Sequence, residues 1–283
     1  MAWLEARPVV QFVFQLRFAS GFVLAGVARG EFTLGLSAFA GAAGWLAATW
    51  AIYLMNGIAD VVEDRVNGST RPIARGSLPV TSATAACFLL AVGALGCCAL
   101  VSFRMVVLVL LMLAVGWAYS LGPCPLKMTV PGFLVSVTAL GLLTYSAGGC
   151  AAGGDWDTPL LPFGLVMSLW MGLVGWTKDL SDLKGDRAAG RRTLPVLLGE
   201  RRARTVMAIA VTVVGWGFFA AAAVAGGHLQ PAAAVVCCGS VVVAVLLLAP
   251  VRRPGRSVRR RPYRAFMTTQ YAAHVTLLLS NMP

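Results

Sequence analysis

Charged residues are scarce in this sequence: Asp, Glu, Lys and Arg make up 12% of the 283 residues, whereas 58% are hydrophobic. Soluble domains carry about twice that share of charge, so the composition excludes a soluble globular protein. Histidine is nearly absent, with two residues, and the seven cysteines lack the spacing of metal ligands. We therefore expect neither a zinc-type centre nor a catalytic thiol.

Long apolar runs fill the chain instead. A membrane-spanning helix needs about 20 mostly apolar residues, and runs of about that length can be marked throughout the sequence. They are residues 10–28, 34–57, 82–103, 105–122, 130–150, 160–178, 205–226, 229–249 and 265–281. The sequence thus predicts an all-α, polytopic membrane protein. We expect a single domain over residues 1–283, with about nine transmembrane helices around a central cavity.

The net charge of +12 follows membrane topology and gives no reason to expect nucleic acid as a partner. If the N-terminus is cytoplasmic, nine spans place 20 of the 23 Lys and Arg residues on the inner side. Arg17 lies within the first span, and only Arg29 and Arg104 fall outside, which is the positive-inside pattern. Since Ala, Gly and Arg richness is typical of a GC-rich bacterial gene, we expect a multi-pass protein of the bacterial inner membrane.

Seven of the arginines lie in one segment, between Arg252 and Arg264. This segment could hold a substrate diphosphate, but attraction to anionic lipid headgroups explains it more simply. We therefore expect it to contact membrane lipid.

Two short acidic clusters follow apolar runs and hold six of the eleven acidic residues. In each, three oxygen-bearing side chains recur at helical spacing and share one face. They are Asn56, Asp60 and Asp64 in the first cluster and Asp179, Asp182 and Asp186 in the second. Stacked carboxylates repel one another, and such hard ligands suit Mg²⁺, which also binds substrate phosphates. The clusters predict a Mg²⁺–diphosphate site, with Glu63 and Glu200 off the shared faces.

Basic residues are interleaved with these acids, namely Arg71, Arg75, Lys184, Arg187, Arg191 and Arg192. Intramembrane carboxylates also build proton relays and cation pathways, which makes a transporter the rival interpretation. The bases would repel a bare cation, whereas arginine grips phosphate oxygens well. An anion held together with a cation therefore fits the pattern better.

The order of these motifs resembles the UbiA superfamily of intramembrane prenyltransferases, which includes aromatic prenyltransferases of quinone pathways and some terpene cyclases. The first family motif, Asn-Asp-x-x-Asp-x-x-x-Asp with a later Arg-Pro-Ile turn, is matched by Asn56, Asp60, Asp64, Arg71, Pro72 and Ile73. The second, Asp-x-x-Asp-x-x-x-Asp, is matched by Asp179, Asp182 and Asp186. The segments Tyr119-Ser120 and Pro125-Leu126-Lys127 resemble the family's loop after the fourth helix.

One position departs from the family pattern. Gly57 stands where the family usually has an aspartate directly after the motif asparagine. An adjacent helix position points about 100° away from Asn56, so this loss need not remove a metal ligand, but it removes one charge near the site. This departure therefore favours divergent bacterial members of the family, including secondary-metabolite prenyltransferases and cyclases, over the standard ubiquinone and menaquinone enzymes.

The resemblance implies a role for each matched residue. The catalytic residues would be two pairs that each hold a Mg²⁺, Asp60 with Asp64 and Asp182 with Asp186. Asn56 and Asp179 would support them as further metal ligands. Substrate would be bound by Asn56, Arg71, Tyr119, Lys127, Lys184 and Arg187. The bases among these would stabilise the departing diphosphate, and Tyr119 would orient an acceptor or contact the carbocation.

The resemblance also implies the reaction. A prenyl diphosphate would be ionised in a site facing the cytoplasm, and its prenyl group would pass to an acceptor, aromatic in our first hypothesis. Cyclisation of the prenyl chain is the alternative, and a transporter is the distant one. We expect a C10 to C20 tail to lie near small residues such as Gly141, Gly148 and Gly172. Arg17 favours an acidic or phenolic acceptor, unless it only snorkels to the membrane face.

Overall fold

The computed structural model describes residues 1–30, 34–154, 160–225, 227–250 and 255–282. Its helices are α1 (Ala2–Glu5), α2 (Pro8–Arg29), α3 (Leu36–Ala59), α4 (Val61–Val66), α5 (Val80–Ala99), α6 (Phe103–Ser120), α7 (Val130–Ala151), α8 (Leu160–Val174), α9 (Asp179–Ala188), α10 (Leu194–Ala225), α11 (Gln230–Leu248), α12 (Arg256–Arg259) and α13 (Arg261–Asn281). The chain is 84% helical, which confirms the predicted all-α class. Residues 252–254 of the basic segment lie outside the described residues.

Among the described residues, seven helical segments are long and apolar enough to cross a membrane. They are α2, α3, α5, α6, α7, α10 (as far as Val224) and Gly227–Leu248, which contains α11. The remaining two predicted spans are helical but differ in kind, because α8 has 15 residues and α13 carries polar side chains such as Gln270 and His274. The multi-pass architecture is confirmed, whereas the count of nine is not.

The junction between the third and fourth predicted spans lies a few residues earlier than expected. Helix α5 ends at Ala99 and α6 begins at Phe103. The Ser102 hydroxyl accepts a hydrogen bond from the Met105 backbone N–H at 3.1 Å, which caps the helix start. Arg104 therefore lies in the first turn of α6 and does not separate the two helices.

The long helices close into a ring. Helix α2 contacts α3, and contacts then run from α3 to α6, α6 to α7, α7 to α8, α8 to α10, α10 to α11, α11 to α13 and α13 back to α2. The acidic cluster after α3 and the one after α8 follow helices that run in the same direction. Both clusters therefore reach the same end of the ring, as the spacing of the motifs predicts.

Glycines allow the closest helix crossing. A Cβ on Gly148 of α7 would lie 2.0 Å from the Phe18 carbonyl oxygen of α2, and one on Gly21 would lie 2.2 Å from the Tyr145 carbonyl oxygen. Small residues of this kind let helix backbones approach one another in a membrane. Gly141 and Gly172 likewise lie against neighbouring side chains. These glycines therefore serve helix packing, and the expected position of the prenyl tail among these helices stays a prediction.

Candidate active site

The first acidic cluster lies where α3 gives way to the short helix α4. The break at Asp60 is mild, because the Asp60 N–H still donates to the Asn56 carbonyl at 2.9 Å and the Asp64 N–H to the Asp60 carbonyl at 2.8 Å. The chain thus continues in nearly helical register. Asp60 is buried at 6% exposure, and Asp64 follows it on the same side.

The second acidic cluster lies on α9. A 3₁₀ turn, Gly175–Lys178, ends the apolar run of α8 and leads directly into α9. Asp182 and Asp186 are one helical turn apart and both are buried. The two clusters are in contact through α4 and α9, so residues about 120 positions apart in sequence form one site.

A polar cleft of about 800 Å³ joins the two clusters. Five carboxylates line it: Asp60, Glu63, Asp64, Asp182 and Asp186. Seven basic side chains line it as well, namely Arg7, Arg71, Arg75, Lys178, Arg191, Arg256 and Arg260. This is the mixture of charges expected where an anion is bound together with a metal cation.

Ion pairs tie the acids and bases of the cleft together. Asp60 Oδ1 lies 2.5 Å from Lys127 Nζ and 2.8 Å from Arg191 Nη2. Arg191 also pairs with Glu63 and lies 3.9 Å from Asp186. Since Glu63 and Asp186 belong to different clusters, Arg191 is the cation that connects them.

Outer ion pairs complete the cleft. Arg71 Nη1 lies 2.9 Å from Asp64 Oδ2. Asp182 lies 3.6 Å from Lys178 and 3.3 Å from Arg256. Arginine and lysine bind carboxylate and phosphate oxygens by the same charge-assisted hydrogen bonds, so the chemistry of these bases is compatible with a phosphate.

The local charges shift the pKa values of the carboxyl groups in different directions. Burial would raise the pKa of Asp60, but Arg191 and Lys127 outweigh it and hold the pKa below its usual value. Burial and the neighbouring Asp60 charge raise the pKa of Glu63 to about 7. Burial and the charge of Asp186 raise the pKa of Asp179 to about 8. Glu63 and Asp179 therefore hold a proton more readily than Asp60, whose charge is matched by two cations.

Two of the predicted metal ligands face away from the cleft. Asn56 lines an apolar cavity and its amide lies 3.5 Å from Ser120 Oγ. Asp179 lines a small inner pocket with Lys127 and Tyr119. The predicted metal set therefore divides: Asp60, Asp64, Asp182 and Asp186 line the cleft, whereas Asn56 and Asp179 lie behind it.

Two predicted diphosphate contacts need correction. Lys184 and Arg187 are exposed, and neither is among the described residues that line the cleft. Position 184 lies about 200° around the helix from Asp182, and position 187 lies about 100° from Asp186. Both side chains therefore leave the face that carries the aspartates.

The sequence interpretation missed Lys178 and Arg7 and named Arg191 only as one of the interleaved bases. Lys178 precedes Asp182 by one helical turn, Arg7 directly precedes the proline that opens α2, and Arg191 follows α9. Spacing could have indicated Lys178, but the positions of Arg7 and Arg191 depend on how distant segments fold together. Lys178 lines the polar cleft, the apolar cavity and the inner pocket alike, which places it where the three meet.

Glu63 lines the cleft and pairs with Arg191, so its predicted placement off the shared face is wrong. Position 63 lies about 60° around the helix from Asp60, so the longer Glu63 side chain still reaches the cleft and Arg191. We expect Glu63→Gln to lower turnover roughly tenfold, about 1.4 kcal/mol, because Arg191 would then be held more tightly by Asp60. Glu200→Gln is the matched control, since Glu200 pairs with Arg204 and Arg259 away from the cleft. Equal initial rates for the two variants would contradict this placement.

An apolar cavity of about 130 Å³ lies behind the cleft. Aromatic rings line much of it, from Phe14, Tyr53, Tyr119, Phe133, Tyr263 and Phe266. Arg7 and Lys178 line both this cavity and the cleft. The cleft and the apolar cavity are therefore neighbours that share these two basic side chains.

Arg17 lies at the wall of the apolar cavity and is 2% exposed. Its partners are uncharged, since Nη2 lies 2.5 Å from Gln270 Oε1 and the guanidinium lies 5.1 Å from the centre of the Phe14 ring. Burial of the whole side chain excludes the simple snorkelling explanation. A buried cation with neutral partners is costly, which makes this wall attractive to an anion.

The oxygen donors of the cleft fit Mg²⁺ bound together with a phosphate. Among the described residues, no three Asp, Glu, His or Cys side chains already converge as an all-protein metal cage. Mg²⁺ is ordinarily held by one or two carboxylates together with water and substrate phosphates. Facing carboxylate pairs on two helices, with bases between them, match that requirement.

Comparison with known proteins places these features in a family. The sequence model of the UbiA prenyltransferase family matches residues 18–271. Digeranylgeranylglyceryl phosphate synthase of Halobacterium salinarum is 35% identical over 212 residues, which cover 73% of this chain and 72% of that one. The 1,4-dihydroxy-2-naphthoate octaprenyltransferase of Bacillus subtilis is 24% identical over 116 residues, covering 41% and 37%.

The fold has solved counterparts. The structure of a UbiA homolog from Archaeoglobus fulgidus bound to DMAPP and Mg²⁺ superimposes with a TM-score of 0.71 at 17% sequence identity, over 97% of this chain and 99% of that one. At this level of identity the likeness concerns the fold.

Proposed function

Since the chain belongs to the UbiA prenyltransferase family, we propose that it uses Mg²⁺ to ionise an allylic prenyl diphosphate and transfers the prenyl group to an acceptor. The observation that carries this proposal is the junction of a charged cleft with an aromatic cavity at Lys178. The diphosphate lies in the cleft and the first part of the isoprenoid tail enters the cavity. The bond that must break then lies near the junction.

The chain's own residues hold the leaving group. Asp60, Asp64, Asp182 and Asp186 would hold Mg²⁺, which when bound neutralises charge on the diphosphate as the allylic C–O bond breaks. Arg71, Lys178 and Arg191, which line the cleft, then exchange their carboxylate partners for phosphate oxygens, whereas Lys127 lies in the inner pocket and stays paired with Asp60. Because these cations are already positioned and partly buried, they stabilise the developing negative charge without large rearrangement.

The cavity protects the carbocation. Rings such as Tyr119 and Phe133, whose centres are 6.3 Å apart, present faces that attract a cation and help to exclude water. Tyr119 lines both the apolar cavity and the inner pocket, so it lies beside the tail close to its charged end. A contact with the carbocation suits Tyr119 better than a contact with the diphosphate.

The acceptor proposed here carries an anionic group. The name of the Halobacterium relative specifies a product with a phosphate, and that of the Bacillus relative an aromatic carboxylate. The cleft of this chain has seven bases to five acids, and Arg17 adds a buried cation to the cavity wall. An acceptor bearing a phosphate or carboxylate would complement that surplus of positive charge. An aromatic acid and a glycerol lipid phosphate are the two kinds of acceptor that carry such a group.

Product analysis tests this proposal. The purified protein is incubated with Mg²⁺ and geranyl, farnesyl or geranylgeranyl diphosphate, together with an aromatic acid, a glycerol lipid phosphate or an uncharged analogue of either. A prenylated product with an anionic acceptor supports transfer and identifies the source. A cyclic hydrocarbon formed without acceptor would replace transfer by cyclisation, and product only with the uncharged analogues would contradict an anionic acceptor.

The orientation of the protein is also a proposal, with the cleft at the cytoplasmic side of the bacterial inner membrane. Cys124 is exposed in the loop after α6, at the cleft end, and Leu34 is 77% exposed at the other end of α3. With the other six cysteines replaced, a membrane-impermeant maleimide should label Leu34→Cys in intact cells. Cys124 should react only after permeabilisation. Labelling in the reverse order would overturn the orientation.

A further inference from the structure

The carboxylate of Glu5 occupies the space in which a side chain at position 57 would lie. A Cβ built on Gly57 would be 2.2 Å from Glu5 Oε1 and 2.6 Å from Arg71 Nη2. Atoms cannot approach so closely, so no side chain at position 57 is compatible with Glu5 as it is placed. The position of the Glu5 carboxylate therefore requires a glycine at position 57.

Glu5 is fully buried and holds Arg71 by both side chain and main chain. Its Oε1 lies 2.6 Å from Arg71 Nε, and its carbonyl oxygen accepts a hydrogen bond from Arg71 Nη2 at 3.2 Å. Oε2 accepts the N–H of Ile73 at 2.8 Å. The Arg-Pro-Ile turn is thereby fixed to α1, on the side of the guanidinium remote from the cleft.

The opposite edge of the same guanidinium faces the cleft. Arg71 Nη1 donates to Asp64 Oδ2 at 2.9 Å, and Arg71 lines the cleft together with Asp64. Because the guanidinium is planar, a carboxylate bound to one edge fixes the direction in which the N–H groups of the other edge point. It also neutralises the buried cation when Asp64 turns to another partner.

We infer that Glu5 is a positioning residue, which supplies from α1 the carboxylate that the family pattern places at position 57. The inference rests on the proposed function, because Glu5 acts on the diphosphate through Arg71. The chain has not lost the charge that Gly57 removes from the motif. It has moved that charge to another segment, where it faces Arg71.

Moving the carboxylate from position 5 to position 57 tests this inference. Glu5→Ala should lower kcat/KM for the prenyl diphosphate roughly 30-fold, and Gly57→Asp alone by a similar factor, because its carboxylate collides with that of Glu5. The double variant Glu5→Ala/Gly57→Asp should recover to within about fivefold of the wild type, as strongly coupled neighbouring sites do. The uncharged match, Glu5→Ala/Gly57→Asn, should remain as impaired as Glu5→Ala.

Thermal unfolding without substrate provides a second readout of the same variants. The double variant Glu5→Ala/Gly57→Asp should have a Tm closer to that of the wild type than either single variant has. If the wild type does not ionise allylic diphosphates, the proposed function fails, while the Tm series still tests where the Glu5 carboxylate lies. Equal recovery by Asp and Asn at position 57, or full activity and unchanged Tm in Glu5→Ala, would overturn the inference.

Discussion

Asp64→Asn and Asp182→Asn should each lower the rate of prenyl diphosphate ionisation at least 100-fold, about 2.7 kcal/mol in activation free energy. The two residues lie in the cleft on different helices, each within ion-pair distance of cleft bases. Asparagine keeps the size of the side chain but removes the charge that a metal cation requires. Asp60→Asn and Asp186→Asn should have effects of the same order. The measurement is single-turnover release of diphosphate at saturating Mg²⁺.

Folding should survive these substitutions. Arg71 keeps Glu5 as a partner when the charge of Asp64 is lost, and the remaining carboxylates of the cleft repel one another less. Glu200→Gln is the control for loss of a carboxylate elsewhere on the same face of the protein. Near-wild-type rates in both Asp64→Asn and Asp182→Asn, with unchanged folding, would show that the carboxylates of the cleft are not needed for the reaction.

Arg191→Gln should lower both turnover and stability, because Arg191 joins the two acidic clusters. Its guanidinium pairs with Asp60 and Glu63 and approaches Asp186. Although burial opposes it, Asp60 and the other carboxylates hold the pKa of Arg191 above its ordinary value, so the cation is firmly retained. Removing one partner of a buried ion pair costs about 3 kcal/mol, and removing one preorganised donor lowers turnover about 100-fold.

The neighbouring residue is a close control for this prediction. Arg192 is exposed, and its backbone N–H donates to the Met128 carbonyl at 2.8 Å, a contact that does not depend on the side chain. Arg192→Gln should therefore leave Tm and turnover nearly unchanged. If Arg191→Gln and Arg192→Gln behaved alike in both measurements, the ion pairs of Arg191 with the two clusters would contribute neither to stability nor to turnover.

Much of the fold could be predicted from composition and spacing alone. Apolar length identifies helices because the bilayer leaves the backbone no partner but itself, and the spacing of the acidic clusters places them at one end. Length and hydropathy could not establish the span count. Helix α8 is short, and α13 includes polar residues such as Gln270 and His274, which are buried against neighbouring helices. The exact start of α6 depended on the Ser102 cap.

The candidate site was predictable only where one helix carries the information. Asp182 and Asp186 lie one turn apart on α9, so helical spacing was sufficient for them. Glu63 was misplaced because position 63 lies only about 60° around the helix from Asp60, which lets its longer side chain reach Arg191. The contacts of Glu5 and Arg191 could not be predicted, since their partners lie 66 and 131 positions away in the sequence.

Diphosphate release from an allylic prenyl diphosphate, followed in the presence of Mg²⁺ and again after EDTA, tests the central claim most directly. We expect release with Mg²⁺, loss of release with EDTA and recovery when Mg²⁺ is restored. Isopentenyl diphosphate, which is not allylic and forms no stabilised cation, should yield no diphosphate under any of these conditions. Release that persists in EDTA, or turnover of isopentenyl diphosphate alone, would contradict a Mg²⁺-dependent allylic ionisation in this cleft.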